Sequence, residues 1–180
     1  MKKNLVKVFL VSLVLVLATS CMEDDYSKQI EKWKTENDTY FINMKDSSDY
    51  QAFALPAEQG GGLFYYKIKK QGNAESVSPT ETDKVTVNYK GMLINGAVFD
   101  GTFKGNDPTL DLTATPRTFT VYQLIPGWVL NLKQMKVGET RTIVLPYYLA
   151  YGTMSAGSIL PYSTLRFDMQ LISIQKTVVE

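Results

Sequence analysis

Leu165-Arg166-Phe167-Asp168-Met169-Gln170-Leu171 places four apolar side chains on one side of the chain and three polar ones on the other. Strict alternation marks an extended strand, because successive side chains of a strand leave by opposite faces. The same period of two recurs earlier in the chain. Upstream, Thr142, Val144 and Pro146 alternate with Ile143 and Leu145, and Val85, Val87 and Tyr89 alternate with Lys84, Thr86 and Asn88. Leu63-Phe64-Tyr65-Tyr66-Lys67-Ile68-Lys69-Lys70 is a further strand candidate. Alternation of this kind predicts a sheet with one buried face and one wet face, hence antiparallel pairing. Between the strands lies one short helical pattern, Trp128, Leu132 and Met135, closed by Lys136-Val137-Gly138. An antiparallel sheet with one short helix against it is an α+β arrangement.

The remaining chain prefaces this body. Tyr26, Ile30, Trp33, Tyr40, Phe41 and Met44 recur at steps of three and four, which predicts an amphipathic helix whose stripe Asn37 interrupts. Such an aromatic face docks on the body of the protein or on a partner, and a homodimer through this helix is one form the docking can take. Asp46-Ser47-Ser48-Asp49 stops the helix, and Gly60-Gly61-Gly62 is a flexible joint. The expected division is therefore 1–20, 21–60 and 61–180.

Residues 1–20 have the order of an export signal. Lys2, Lys3 and Lys7 lead into the apolar run Val8–Ala18, too short for the roughly 20 residues of a membrane span. Ala18-Thr19-Ser20-Cys21 then resembles the lipobox of bacterial lipoproteins, in which the cysteine is acylated and becomes the mature N-terminus. Cys21 is the only cysteine, so no intrachain disulfide forms. The expected location is the bacterial cell envelope, lipid-anchored through Cys21. The acidic run Met22-Glu23-Asp24-Asp25 suits a solvated tether and a surface-export signal equally, so the leaflet stays open. Cleavage removes three lysines and no acids, taking the net charge from +1 to −2. That balance argues against nucleic acid, which needs a concentrated basic face. The chain has no histidine, which removes catalytic triads, imidazole acid–base chemistry and most zinc and haem sites. No cofactor or metal is expected.

Four local patterns carry more information. They are Val87-Asn88-Tyr89-Lys90-Gly91-Met92-Leu93, Gly96-Ala97-Val98-Phe99-Asp100, the run Phe119–Trp128 with Ile125-Pro126-Gly127-Trp128 at its end, and Leu149-Ala150-Tyr151-Gly152. Taken singly, their aromatics are candidates for the core. Their order and spacing resemble the FK506-binding-protein (FKBP) type of peptidyl-prolyl isomerase, from about Leu63 to Ile174. The resemblance implies an FKBP-like fold and a pocket with Trp128 as its floor. It implies Tyr89, Phe99, Phe119, Leu124, Ile125 and Phe167 as walls, and Asp100 as the acceptor holding Tyr89. Tyr151 and a backbone N–H near Ile159, with Leu160 beside it, are implied as contacts to substrate carbonyls. The implied activity is isomerisation of X–Pro bonds in exported proteins. Its partners would be proline-containing polypeptides and, as a second class, macrolide ligands. The alternative is a chaperone or adaptor using the same pocket without efficient catalysis.

Three departures from the family pattern stand out. The segment 101–118 is about eight residues longer than usual, Arg117 occupies a position where many members carry an apolar side chain, and the loop 153–162 lacks consecutive prolines.

Overall fold

A computed structural model of the protein describes residues 25–56 and 61–177. The leader, Cys21 and Met22–Asp24 lie outside the described residues. Helix α1 covers 25–43. The strands are β1 (Gln51–Leu55), β2 (Gly62–Lys70), β3 (Lys84–Leu93), β4 (Val98–Gly101), β5 (Arg117–Thr120), β6 (Thr140–Leu145) and β7 (Leu165–Gln175). Helix α2 is Pro126–Leu132. The sheet runs β1-β2-β6-β7-β3-β4, with β5 also on β3, and every pairing is antiparallel. The free edge of β3 is thus shared, β5 taking Lys84–Val87 and β4 taking Lys90–Met92.

The strands expected from alternation form the middle of this sheet. Leu165, Phe167, Met169 and Leu171 all point into the main core with Val85, Val87, Ile143 and Leu145, and α2 closes it with Trp128 and Leu132. Burying such aliphatic and aromatic side chains is the main stabilising term, about 1.5–3 kcal/mol for each.

Two features differ from the sequence-based expectation. First, the sheet begins upstream of the glycine joint: β1 pairs with β2 from Gln51↔Tyr66 to Leu55↔Gly62, and Phe53 stacks on Phe64 at 4.9 Å. Second, the other face of the sheet is not simply wet. All six residues of β6 are buried, because α1 and the 3-10 turn Met44–Asp46 that follows it lie across β2 and β6 and pack Phe41 and Met44 on Tyr65 and Val144. Phe41 meets Tyr65 edge-on at 5.2 Å. Asn37 does not break the helix's buried stripe but sits within it, fully buried. Its amide oxygen accepts from the Thr164 N–H at 2.7 Å and its amide nitrogen donates to the Trp33 carbonyl at 2.8 Å, so both polar atoms of this buried side chain have a partner.

Candidate active site

The four sequence patterns converge on one cavity of about 300 Å³. Ile125-Pro126-Gly127-Trp128 builds its floor. Pro126 occupies the first turn of α2, where its missing N–H costs nothing and its fixed φ suits the helix. Gly127 lets that turn lie on β6, since a Cβ there would come within 2.5 Å of Leu145 Cδ1. The next residue, Trp128, is then turned inward and is 4% exposed. Three rings surround its indole nearly at right angles: Tyr89 at 5.0 Å, Phe167 at 5.2 Å and Phe119 at 6.1 Å. Edge-to-face pairs of this kind add to simple area burial. The indole N–H is buried without a hydrogen-bond acceptor among the described residues.

Gly91 on β3 makes room for a wall. It lies opposite Asp100 of β4 and Phe167 of β7, and a Cβ on it would stand 2.5–2.6 Å from Phe99 ring atoms and 2.9 Å from Phe167. With glycine there, Phe99 and Phe167 meet edge-on at 5.7 Å and both line the cavity. Leu124 and Ile125 follow a 3-10 turn, Val121–Gln123, and complete the apolar lining.

The polar side of the cavity is a connected group. The Tyr89 hydroxyl donates to Asp100 Oδ2 at 2.5 Å and accepts from Arg117 Nη1 at 2.7 Å. The guanidinium also reaches the Asp100 carboxylate at 3.3 Å. Burial, reinforced by the Asp100 carboxylate, pushes the Tyr89 phenol well above its ordinary range. Burial also raises the Tyr151 phenol, with Asp100 adding to the effect. Both hydroxyls therefore keep their protons at neutral pH. Tyr151 follows β6 in a turn that Gly152 completes at φ +70°, a conformation easily reached only without a side chain. It lines the cavity, and its hydroxyl has no hydrogen-bond partner among the described residues, so it is free to donate.

Nine of the eleven cavity-lining residues were expected; Arg117 and Gln123 were not assigned to the cavity. Ile159 and Leu160 do not line it. Ile159 is core, and its N–H is engaged by the Ala156 carbonyl at 3.0 Å in a closed turn. The donor expected near Ile159 is thus already occupied. Ile125 offers one instead: it lines the cavity, and its N–H makes no hydrogen bond among the described residues. The long segment after Asp100 folds back on itself, the Thr115 N–H donating to the Thr102 carbonyl at 2.9 Å. Phe103 is buried beneath it, with Lys90 Nζ 5.1 Å from its ring centre, while Leu110 and Leu112 face solvent. Among the described residues no group of three or more His, Cys, Asp or Glu side chains gathers to hold a metal ion.

Residues 75–172 match the family model of the FKBP-type peptidyl-prolyl cis-trans isomerases. The chain is 37% identical over 153 residues to the outer membrane protein MIP of Legionella longbeachae, covering 84% of this chain and 58% of that one. It is 34% identical over 148 residues to the FKBP-type isomerase FkpA of Buchnera aphidicola, covering 82% and 52%. The chain thus spans little more than half the length of these curated relatives. The crystal structure of FkpA from Escherichia coli superimposes with a TM-score of 0.70 at 27% identity, over 92% of this chain and 71% of that one. A matched model that spans more than half the chain, laid over the segment that builds the cavity, places this protein in the FKBP-type peptidyl-prolyl cis-trans isomerase family.

Proposed function

We propose that the protein catalyses cis–trans isomerisation of X–Pro bonds in polypeptides of the cell envelope. The observation that carries this reading is the apolar cavity floored by buried Trp128 and bordered by two donors without partners among the described residues, the Tyr151 hydroxyl and the Ile125 N–H. Resonance holds a peptide bond planar behind a barrier of about 18–20 kcal/mol, and uncatalysed X–Pro rotation takes tens to hundreds of seconds. The half-rotated bond has lost that resonance and is less polar than the planar imide. An apolar cavity therefore disfavours the planar form relative to the twisted one, and contacts made only in the twisted geometry lower the barrier further. A proline ring fits the aromatic lining, and the two donors hold the flanking carbonyls. No nucleophile, metal or proton transfer is needed. Asp100 and Arg117 orient Tyr89 from behind.

A proline-limited peptide assay on the chain tests this. Tyr151→Phe is expected to lower kcat/KM about tenfold, the scale of one hydrogen bond in a dry site, with folding intact. Trp128→Ala is expected to abolish turnover and destabilise by about 3–5 kcal/mol. Wild-type chain that suppresses aggregation but shows no turnover would replace catalysis with a chaperone role.

We further propose that the chain is anchored in the envelope through acylated Cys21. The basic and apolar leader and the lone cysteine at its end support this. Cys21→Ser is expected to lose radiolabelled palmitate and to fractionate as a soluble protein; label retained by the variant would refute the anchor.

A further inference from the structure

The loop that delivers Tyr151 to the cavity is held from behind by the N-terminal helix. Trp33 Nε1 donates to Ser163 Oγ at 3.1 Å, and that hydroxyl in turn donates to the Leu160 carbonyl at 2.7 Å. Asn37 takes the Thr164 N–H, as described above, and its own backbone carbonyl accepts from Thr164 Oγ1 at 3.2 Å. Between these anchors and Tyr151 stands Tyr162, the one non-glycine residue with positive φ (62°) among the described residues. Its N–H donates to the Gly152 carbonyl at 3.0 Å, one residue from Tyr151. Its ring is wedged edge-on against Tyr147 at 5.3 Å, with Lys34 Nζ of α1 5.7 Å from its centre. A bulky residue in the left-handed region is strained, and persists only where its surroundings over-determine it. Here the surroundings include α1.

The choice of side chain also points beyond simple docking. An apolar residue at position 37 would bury well against the sheet; asparagine instead grips the backbone of Thr164, where the loop enters β7. We propose that Trp33 and Asn37 are positioning residues for the cavity, latching the segment 151–164 so that the Tyr151 hydroxyl faces the Trp128 floor. This rests on the isomerase reading of the cavity. The N-terminal helix is then a working part of the site, and displacements of this loop alter turnover because a misplacement of about 1 Å costs up to 100-fold in rate.

The test is a double-mutant cycle on the full chain. Asn37→Ala is expected to lower kcat/KM about tenfold and Trp33→Phe about threefold, in line with partial misplacement. Added to Tyr151→Phe, either change is expected to cost less than about twofold more, because a latch acting through one hydroxyl has nothing further to lose once it is gone. Amide exchange is expected to quicken in 151–164 and to stay unchanged in β3. Folded variants with wild-type kcat/KM, losses that multiply with Tyr151→Phe, or unchanged exchange in the loop would each overturn the latch. If Asn37→Ala does not fold, Trp33→Phe, which keeps an aromatic ring while removing the donor to Ser163, decides alone. Wild-type chain without turnover would instead refute the isomerase reading, a result separate from any of these.

Discussion

Gly91 shows how one missing methyl group makes the cavity. It occupies a buried position of β3, where most residues would extend a side chain, and the space is taken by the rings of Phe99 and Phe167. Gly91→Ala would push both rings out of their edge-to-face contact, and Phe167 in turn rests on Trp128. The expected outcome is destabilisation by about 1–3 kcal/mol, typical of overpacking, together with a rise in KM as the wall closes on the site. Chemical denaturation and the peptide assay measure the two effects. An alanine variant with unchanged stability and KM would mean that Phe99 turns aside freely. Arg117 illustrates the opposite case, an added group. Its guanidinium braces the Tyr89–Asp100 pair, yet this brace is invisible along the chain: Asp100 and Arg117 are separated by the long loop, and they meet because β4 and β5 both pair with β3.

At the level of elements, legibility followed burial pattern. Strands β3, β6 and β7 carry alternating runs that mark their core-facing sides, whereas the cover over the other face of β6 comes from the distant α1 segment. Strand β1 could not be read this way. Gln51-Ala52-Phe53-Ala54-Leu55 is short, and its two alanines have poor strand propensity; pairing with β2 makes it a strand. Phe53→Ala is expected to cost about 1–3 kcal/mol, reflecting the loss of a half-buried ring from Phe64. It should appear as a lower urea midpoint with the slope unchanged; a midpoint equal to wild type would make β1 an ornament of the edge. The cavity residues were legible for a different reason. Each motif is a contiguous run on one strand or turn, and Pro126, Gly127 and Trp128 each have a local role that the order I-P-G-W already implies. The donor near Ile159 was misplaced because its turn closes on itself through the Ala156–Ile159 bridge, a pairing that no spacing rule reveals. In the sequence Asn37 looks like an interruption because Thr164, which its amide oxygen accepts from, lies 127 residues away.

Across the whole molecule, one carboxylate ties distant segments into a unit. Asp83 at the entry to β3 is 1% exposed. It accepts hydrogen bonds from the Thr80 N–H at 2.7 Å and hydroxyl at 2.8 Å, from Lys176 Nζ at 2.8 Å and from the Thr177 N–H at 3.1 Å. Its backbone carbonyl takes the Val121 N–H at 3.0 Å, in the turn that leads to Leu124 and Ile125 of the cavity. Burial works to raise the Asp83 carboxyl, but the Lys176 bond and those from Thr80 and Thr177 outweigh it and hold the group far below the ordinary carboxylate range. A carboxyl depressed on folding contributes its stability in full above its unfolded value of about 3.9 and loses it as pH falls toward the folded value. Unfolding free energy is therefore expected to fall with acid below about pH 4. Asp83→Asn, which turns an NH₂ group or a neutral oxygen toward these donors, is expected to be less stable by about 1–3 kcal/mol at pH 7, the scale of hydrogen bonds to a charged group. The gap should narrow steadily between about pH 4 and pH 2, as protons bind the carboxyl of the unfolded wild-type chain while the folded carboxylate stays ionised. Urea titrations at several pH values decide the matter. A gap that stays constant down to pH 2 would mean that the two acceptor oxygens of the side chain, and not its charge, join the start of β3 to the end of β7.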